Sequence, residues 1–165
     1  MSFCGGGGNE MNKYLLIVLT IILSILLSAC SNQEEVIKIK SQDSLRTLYI
    51  QKVEGDSSSE EMTKMVKDKE KIDKILAMIE GLKVKESNSK YIFNEMKSQD
   101  TYTFSFFESG TNESGKEVPY AFSVLNEGTF IFTHNDVGSL KTPRITNVKH
   151  KDLLNEMKQL LELPF

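Results

Sequence analysis

The sequence predicts an α+β fold: a two-layer sandwich in which an antiparallel sheet of about five to six strands carries two amphipathic helices packed on one face. Three observations predict it. Between Thr101 and Thr133 aromatic and small hydroxyl-bearing residues alternate with period two, the pattern of a half-buried antiparallel sheet. From Asp68 onward apolar residues recur at helical spacing. The chain closes on a second stretch of the same spacing, with Leu153, Met157, Leu160 and Leu161 on one side.

Leu45 to Val53, rich in Leu, Tyr and Ile, reads as the first strand of the domain. Gly55-Asp56-Ser57-Ser58-Ser59 is a loop by its turn-forming residues, and Met62 to Val66 returns as a second strand, which makes a hairpin. Asp68 then offers a carboxylate to the free amides of a helix whose Ile72, Ile75, Leu76 and Ile79 fall at i, i+3, i+4 and i+7. Glu70 precedes Lys74 by four residues, and Gly81 supplies the helix end. Tyr91 to Met96 reads as a further strand.

In the alternating region Tyr102, Phe104 and Phe106 share one face, with Thr101, Thr103 and Ser105 on the other. Tyr120, Phe122 and Val124 repeat the pattern opposite Ala121 and Ser123, as do Phe130 and Phe132 opposite Thr129 and Thr133. Asn126-Glu127-Gly128 joins the last two strands in a tight turn, with Gly128 suited to a positive φ. Ser109 to Lys116 is a polar loop, and the final helix runs from about Lys149 to Glu162. One aromatic sheet face and two helical stripes need each other for burial, so residues 45–165 form a single domain without internal repeats.

The N-terminal 44 residues have a different character. Met11 to Cys30 reads MNKYLLIVLTIILSILLSAC: a cationic Lys13, an apolar core from Tyr14 to Leu27, then small residues before a cysteine. A core of about 14 residues is short of the roughly 20 that cross a bilayer, and the order charge, core, small residues is that of a secretory signal. An uncleaved membrane helix from Tyr14 to Ala29 is the alternative. Leu27-Ser28-Ala29-Cys30 resembles the lipobox of bacterial lipoproteins. That resemblance implies a diacylglyceryl group on the thiol of Cys30, cleavage of residues 11–29 as a signal peptide, and a mature chain from Cys30 to Phe165. Two acyl chains on one residue are what stable membrane attachment requires. Residues 1–10, MSFCGGGGNE, fit neither signal nor fold. Four consecutive glycines ahead of Met11 are what a purine-rich ribosome-binding site gives when read in frame, so synthesis is expected to begin at Met11; a flexible Gly-rich extension is the alternative. Residues 30–44 read as the lipidated cysteine and a polar tether, long enough to lift the domain up to about 45 Å from the lipid surface. Val36-Ile37-Lys38-Ile39 is a short first strand in the alternative reading.

The order hairpin, helix, antiparallel meander and C-terminal helix, with DKEKIDKIL at Asp68 to Leu76, is similar to small lipoproteins of Gram-positive bacteria. The resemblance implies an address on the extracytoplasmic face of the cell membrane and adds nothing about activity. Composition agrees: Lys outnumbers Arg by 18 to 2, usage that suggests an AT-rich genome.

The two cysteines are Cys4 and Cys30, so the expected mature chain folds without a disulfide and without a thiolate metal ligand. From Cys30 onward 19 Lys and Arg stand against 22 Asp and Glu, a mild acidity that disfavours nucleic acid and anionic lipid headgroups as general ligands. His134 and Asp136 lie in the turn-like His134-Asn135-Asp136-Val137-Gly138, and His150, between Lys149 and Lys151, opens the last helix. Two ligands at i, i+2 are too few for zinc, and Ser139, His134 and Asp136 have no spacing that marks a triad. Glu34-Glu35 and Glu60-Glu61 are carboxylate pairs in polar surroundings. There is no Gly-x-Ser-x-Gly elbow and no phosphate-binding glycine pattern in the mature chain. No catalytic residue, metal or cofactor is therefore assigned.

The reading leaves one surface. Thr101, Thr103, Ser105, Ser123, Thr129 and Thr133 form a flat hydroxyl-bearing face with no third amphipathic helix to cover it, a place to dock an envelope protein, a peptide strand or cell-wall glycan. Merely solvated, the face would bind nothing. The function expected is a non-enzymatic binding or accessory module anchored outside the cell. The alternatives are an envelope hydrolase with an unrecognised site and an immunity or exclusion lipoprotein that intercepts a toxin or phage component.

Overall fold

The computed structural model describes residues 35–39, 42–55, 57–108, 120–135 and 138–165. The lipobox-like segment with Cys30, the whole Ser109–Lys116 loop and Asp136 lie outside the described residues. Eight strands form one antiparallel sheet: β1 (Glu35–Val36), β2 (Thr47–Val53), β3 (Thr63–Val66), β4 (Lys83–Glu86), β5 (Thr101–Phe107), β6 (Tyr120–Leu125), β7 (Phe130–Asn135) and β8 (Gly138–Thr146). Among the described residues three α-helices accompany them: α1 (Lys69–Ile79), α2 (Ser89–Ser98) and α3 (Lys151–Leu160). The sheet order is β1-β4-β8-β7-β6-β5-β2-β3. The fold is α+β.

Alternation sets which face each residue serves. Leu48, Ile50, Tyr102, Phe104, Phe106, Phe122, Val124, Phe130 and Phe132 point to one face and are buried. Ile72, Ile75, Leu76 and Ile79 of α1, with Leu154 and Met157 of α3, close over them in a single core cluster. Phe122 is the hub: its ring centroid lies 4.8 Å from Phe104, 5.8 Å from Phe132 and 5.9 Å from Phe130. Pairing Phe104 with Phe122 in register stacks their rings at an interplanar angle of 10°. Offset stacking of this kind stabilises beyond the area it buries.

Both expected helix ends are present. Asp68 accepts from the amides of Glu70 at 3.0 Å and Lys71 at 3.3 Å, which satisfies two of the unpaired donors of α1. Gly81, at φ +84°, takes the chain out of α1 into β4.

The structure corrects the expected sandwich in two respects. The sheet has eight strands rather than five to six, because Glu35–Val36, Lys83–Glu86 and Gly138–Thr146 also pair into it. The segment Tyr91–Met96 is not a strand. It lies inside α2, where Asn88 caps the amide of Lys90 at 2.8 Å and Ile92 and Met96 fall four residues apart on one side. Those two pack on Leu125, Ile131 and Ile145, whose side chains point away from the aromatic face. Helices therefore lie on both faces of the sheet.

The globular unit also takes in residues that the sequence reading gives to the tether. Glu35–Val36 pairs with β4, and the short-strand alternative is the arrangement observed. Ile37 donates from its amide to Leu82 O at 3.0 Å, its carbonyl accepts from Gly81 N at 2.9 Å, and Ile37 and Ile39 are buried. Arg144 Nη2 meets Glu35 Oε2 at 2.8 Å and fixes the same edge.

Candidate functional site

The surface with the strongest claim to bind something is the part of the second sheet face that α2 leaves open. Three strands build its floor and β3 adds the rim. By alternation Tyr49 and Gln51 of β2, Thr103 and Ser105 of β5, and Ala121 and Ser123 of β6 all point to this side. Register arranges them in two rows: Thr63, Gln51, Thr103 and Ser123 in one, Met65, Tyr49, Ser105 and Ala121 in the next. Thr103 Oγ1 and Ser123 Oγ lie 3.2 Å apart and share a hydrogen bond, which leaves each oxygen further capacity toward solvent. Gln51 Nε2 donates to Ser58 Oγ at 3.2 Å. Tyr49, Gln51, Thr103, Ser105 and Ser123 are half-buried, and Met65 is exposed on the rim. None of the eight carries a charge.

The six residues expected to share a docking face divide. Thr103, Ser105 and Ser123 stand together on the open floor. Thr101 is buried, with its hydroxyl 3.5 Å from the carbonyl oxygens of Met96 and Gln99 at the end of α2. Thr129 belongs to the β6–β7 turn, where it donates to Glu127 Oε1 at 2.7 Å. Thr133 is half-buried on β7, beyond Ile131. The expectation that no helix covers this face is corrected by α2, which takes the end nearest Leu125 and Ile131. Tyr49, Gln51 and Met65 were not picked out by sequence, although the alternation Leu48-Tyr49-Ile50-Gln51 carried the signal.

Several charged groups elsewhere are paired. Lys52 lies between Glu54 and Asp100, the latter at 3.1 Å, and the hydrogen bond it donates to Glu54 holds its pKa above the usual lysine value against the opposing effect of burial. Lys158 donates to Tyr102 Oη at 2.9 Å with its ammonium 4.5 Å from the ring centre. Glu127 is bonded to Lys149 and to Thr129, and Lys149 above all lowers its pKa. These arrangements satisfy charge; none sets a base beside a nucleophile. A groove of about 370 Å³ between α1 and α3 is lined by Lys74, Ala77, Met78, Glu156 and Leu160 and brings no convergent polar set.

His134 and Ser139 fall opposite each other in the β7–β8 register, and Asp136 lies outside the described residues. His150 precedes α3 as its cap residue, with its ring edge-on to Phe130 at 6.2 Å. Among the described residues no three of His, Cys, Asp and Glu gather closely enough to hold a metal ion. No helix among them is long and apolar enough to cross a membrane. The chain matches no family model, no curated protein and no solved structure.

Proposed function

We propose that the chain is a lipid-anchored binding module of the bacterial cell envelope, held on the extracytoplasmic face of the cell membrane by a diacylglyceryl group on Cys30, and that it acts by docking rather than by catalysis. The address rests on Lys13, the short apolar core and Leu27-Ser28-Ala29-Cys30. The observation that carries the docking role is the uncharged, half-open floor of Thr103, Ser105 and Ser123 beside Tyr49 and Gln51. Its backbone is fully paired inside the sheet, so only side-chain hydroxyls, an amide and one phenol ring are on offer. Such a floor recognises a neutral hydrogen-bonding partner, a protein surface, a peptide strand or glycan, in preference to a polyanion such as nucleic acid.

A photo-crosslinking residue at Thr103 in intact cells tests this. One recurrent adduct that vanishes when Ser123 is changed to Lys, with the domain still folded, is the expected result. A set of adducts indistinguishable from that given by a crosslinker at exposed Asn155 on the helix side contradicts it.

A further inference from the structure

The same unit fixes how far the domain stands from its proposed anchor. Between Cys30 and β1 there are four residues, Ser31 to Glu34, and a chain of that length spans at most about 18 Å even when fully extended. β1 is the edge strand of the sheet, bonded to β4 alone. An acylated Cys30 therefore brings the β1–β4 edge to the headgroups, whatever path the intervening residues take. That edge is basic. Lys38, Lys83, Lys85 and Lys90 are all exposed, and Val36 beside Lys83 is 50 % exposed on the same side as Lys85 and α2. Glu86 points to the opposite face by alternation, Glu35 is paired with Arg144, and Glu80 ends α1 on the aromatic side. The chain as a whole carries −3, so this local excess of lysine runs against its overall balance.

Resting on anchorage at Cys30, we propose that the β1–β4 edge with the first turn of α2 is a docking surface for an anionic lipid bilayer, which holds the sheet edge-on. Acyl chains combined with a cluster of basic residues are the paired signals of firm membrane attachment, and the lysines hold the body in one orientation through headgroups within a Debye length. The consequence reaches the candidate binding floor. β6, β5, β2 and β3 lie four to seven strand spacings from β1, roughly 20–35 Å, so the floor stands away from the lipid and open to the envelope.

Full-length lipidated protein in vesicles of phosphatidylcholine and phosphatidylglycerol with a nickel-chelating headgroup tests the orientation. Single nitroxide labels at Ser89→Cys and Met65→Cys report proximity, because the only other thiol of the mature chain is the acylated one. The expected result is relaxation of the Ser89 label several-fold stronger than that of the Met65 label, lost in the triple variant K83E/K85E/K90E while the protein stays with the vesicles. Equal relaxation of the two labels in vesicle-bound protein overturns the orientation and leaves the anchor standing. A contrast that survives the triple variant overturns the role of the lysines. Protein from cells that does not co-sediment with vesicles overturns the anchor itself and the orientation with it.

Discussion

Gly128 is the residue on which the joint between sheet and C-terminal helix depends. Its φ is +96°, and a Cβ there would sit 2.3 Å from Lys151 N and 2.6 Å from His150 C. Backbone cannot yield at such distances as a side chain can. The contact exists because Gly128 O accepts from His150 N at 2.8 Å, while Lys151 Nζ donates back to Asn126 Oδ1 at 3.0 Å. Gly128→Ala is expected to destabilise the domain by at least about 2 kcal/mol, read as a lowered midpoint in urea at unchanged slope. At the centre of the core, Phe122→Ala is expected to cost about 3–5 kcal/mol, because the lost ring faces aromatic neighbours on the two flanking strands that cannot all collapse inward. A cost near 1 kcal/mol in the same titration contradicts the hub role.

The helices show what a sequence makes plain and what it hides. α1 is legible because its cap Asp68 and four buried apolar positions all agree with one period. α2 buries only Ile92 and packs a half-buried Met96 against the sheet, while Tyr91 and Phe93, 52 % and 57 % exposed, stand beside Ile92 in the sequence. Tyr-Ile-Phe therefore imitates a strand, and the deciding features are Asn88 and the i, i+4 pair. β4 escapes notice because Val84 is its one buried residue among Lys and Glu. β8 is hidden by Pro143, which survives inside the sheet where the β7 register shifts between Phe132 and His134 and where pairing with β4 ends at Arg144. The candidate floor was half legible for the same reason: its hydroxyls follow from alternation, whereas the helix that covers their neighbours does not. Ile92→Ala is expected to destabilise by about 2–4 kcal/mol and Asn88→Ala by about 1 kcal/mol. If Ile92→Ala leaves the urea midpoint unchanged, α2 is not packed on the sheet.

At the scale of the whole molecule, stability is expected to fall at both ends of the pH range. Glu127 has a folded pKa below its unfolded value, so its contribution is present above the unfolded carboxylate range and is lost as the pH falls through the folded one. Lys52 has a folded pKa above its unfolded value, so its contribution is present below the unfolded lysine range and is lost as the pH climbs through the folded one. Both pairs are partly exposed and each effect is small. Glu127→Gln is expected to flatten the acid limb of a stability–pH curve, and slightly the alkaline limb as well because Glu127 also holds the pKa of Lys149 up, whereas Lys52→Met flattens the alkaline limb.

The same scale joins address to role: an exposed lysine edge and an uncharged floor at opposite ends of one sheet are what the proposed membrane-held module requires. The intact mass of the protein extracted from cell membranes tests that most directly. The proposal predicts a chain that begins at Cys30 and carries a diacylglyceryl thioether, and a Cys30→Ala variant that is neither cut nor lipidated. A Cys30→Ala variant trimmed to the same N-terminus and still bound to membranes contradicts it.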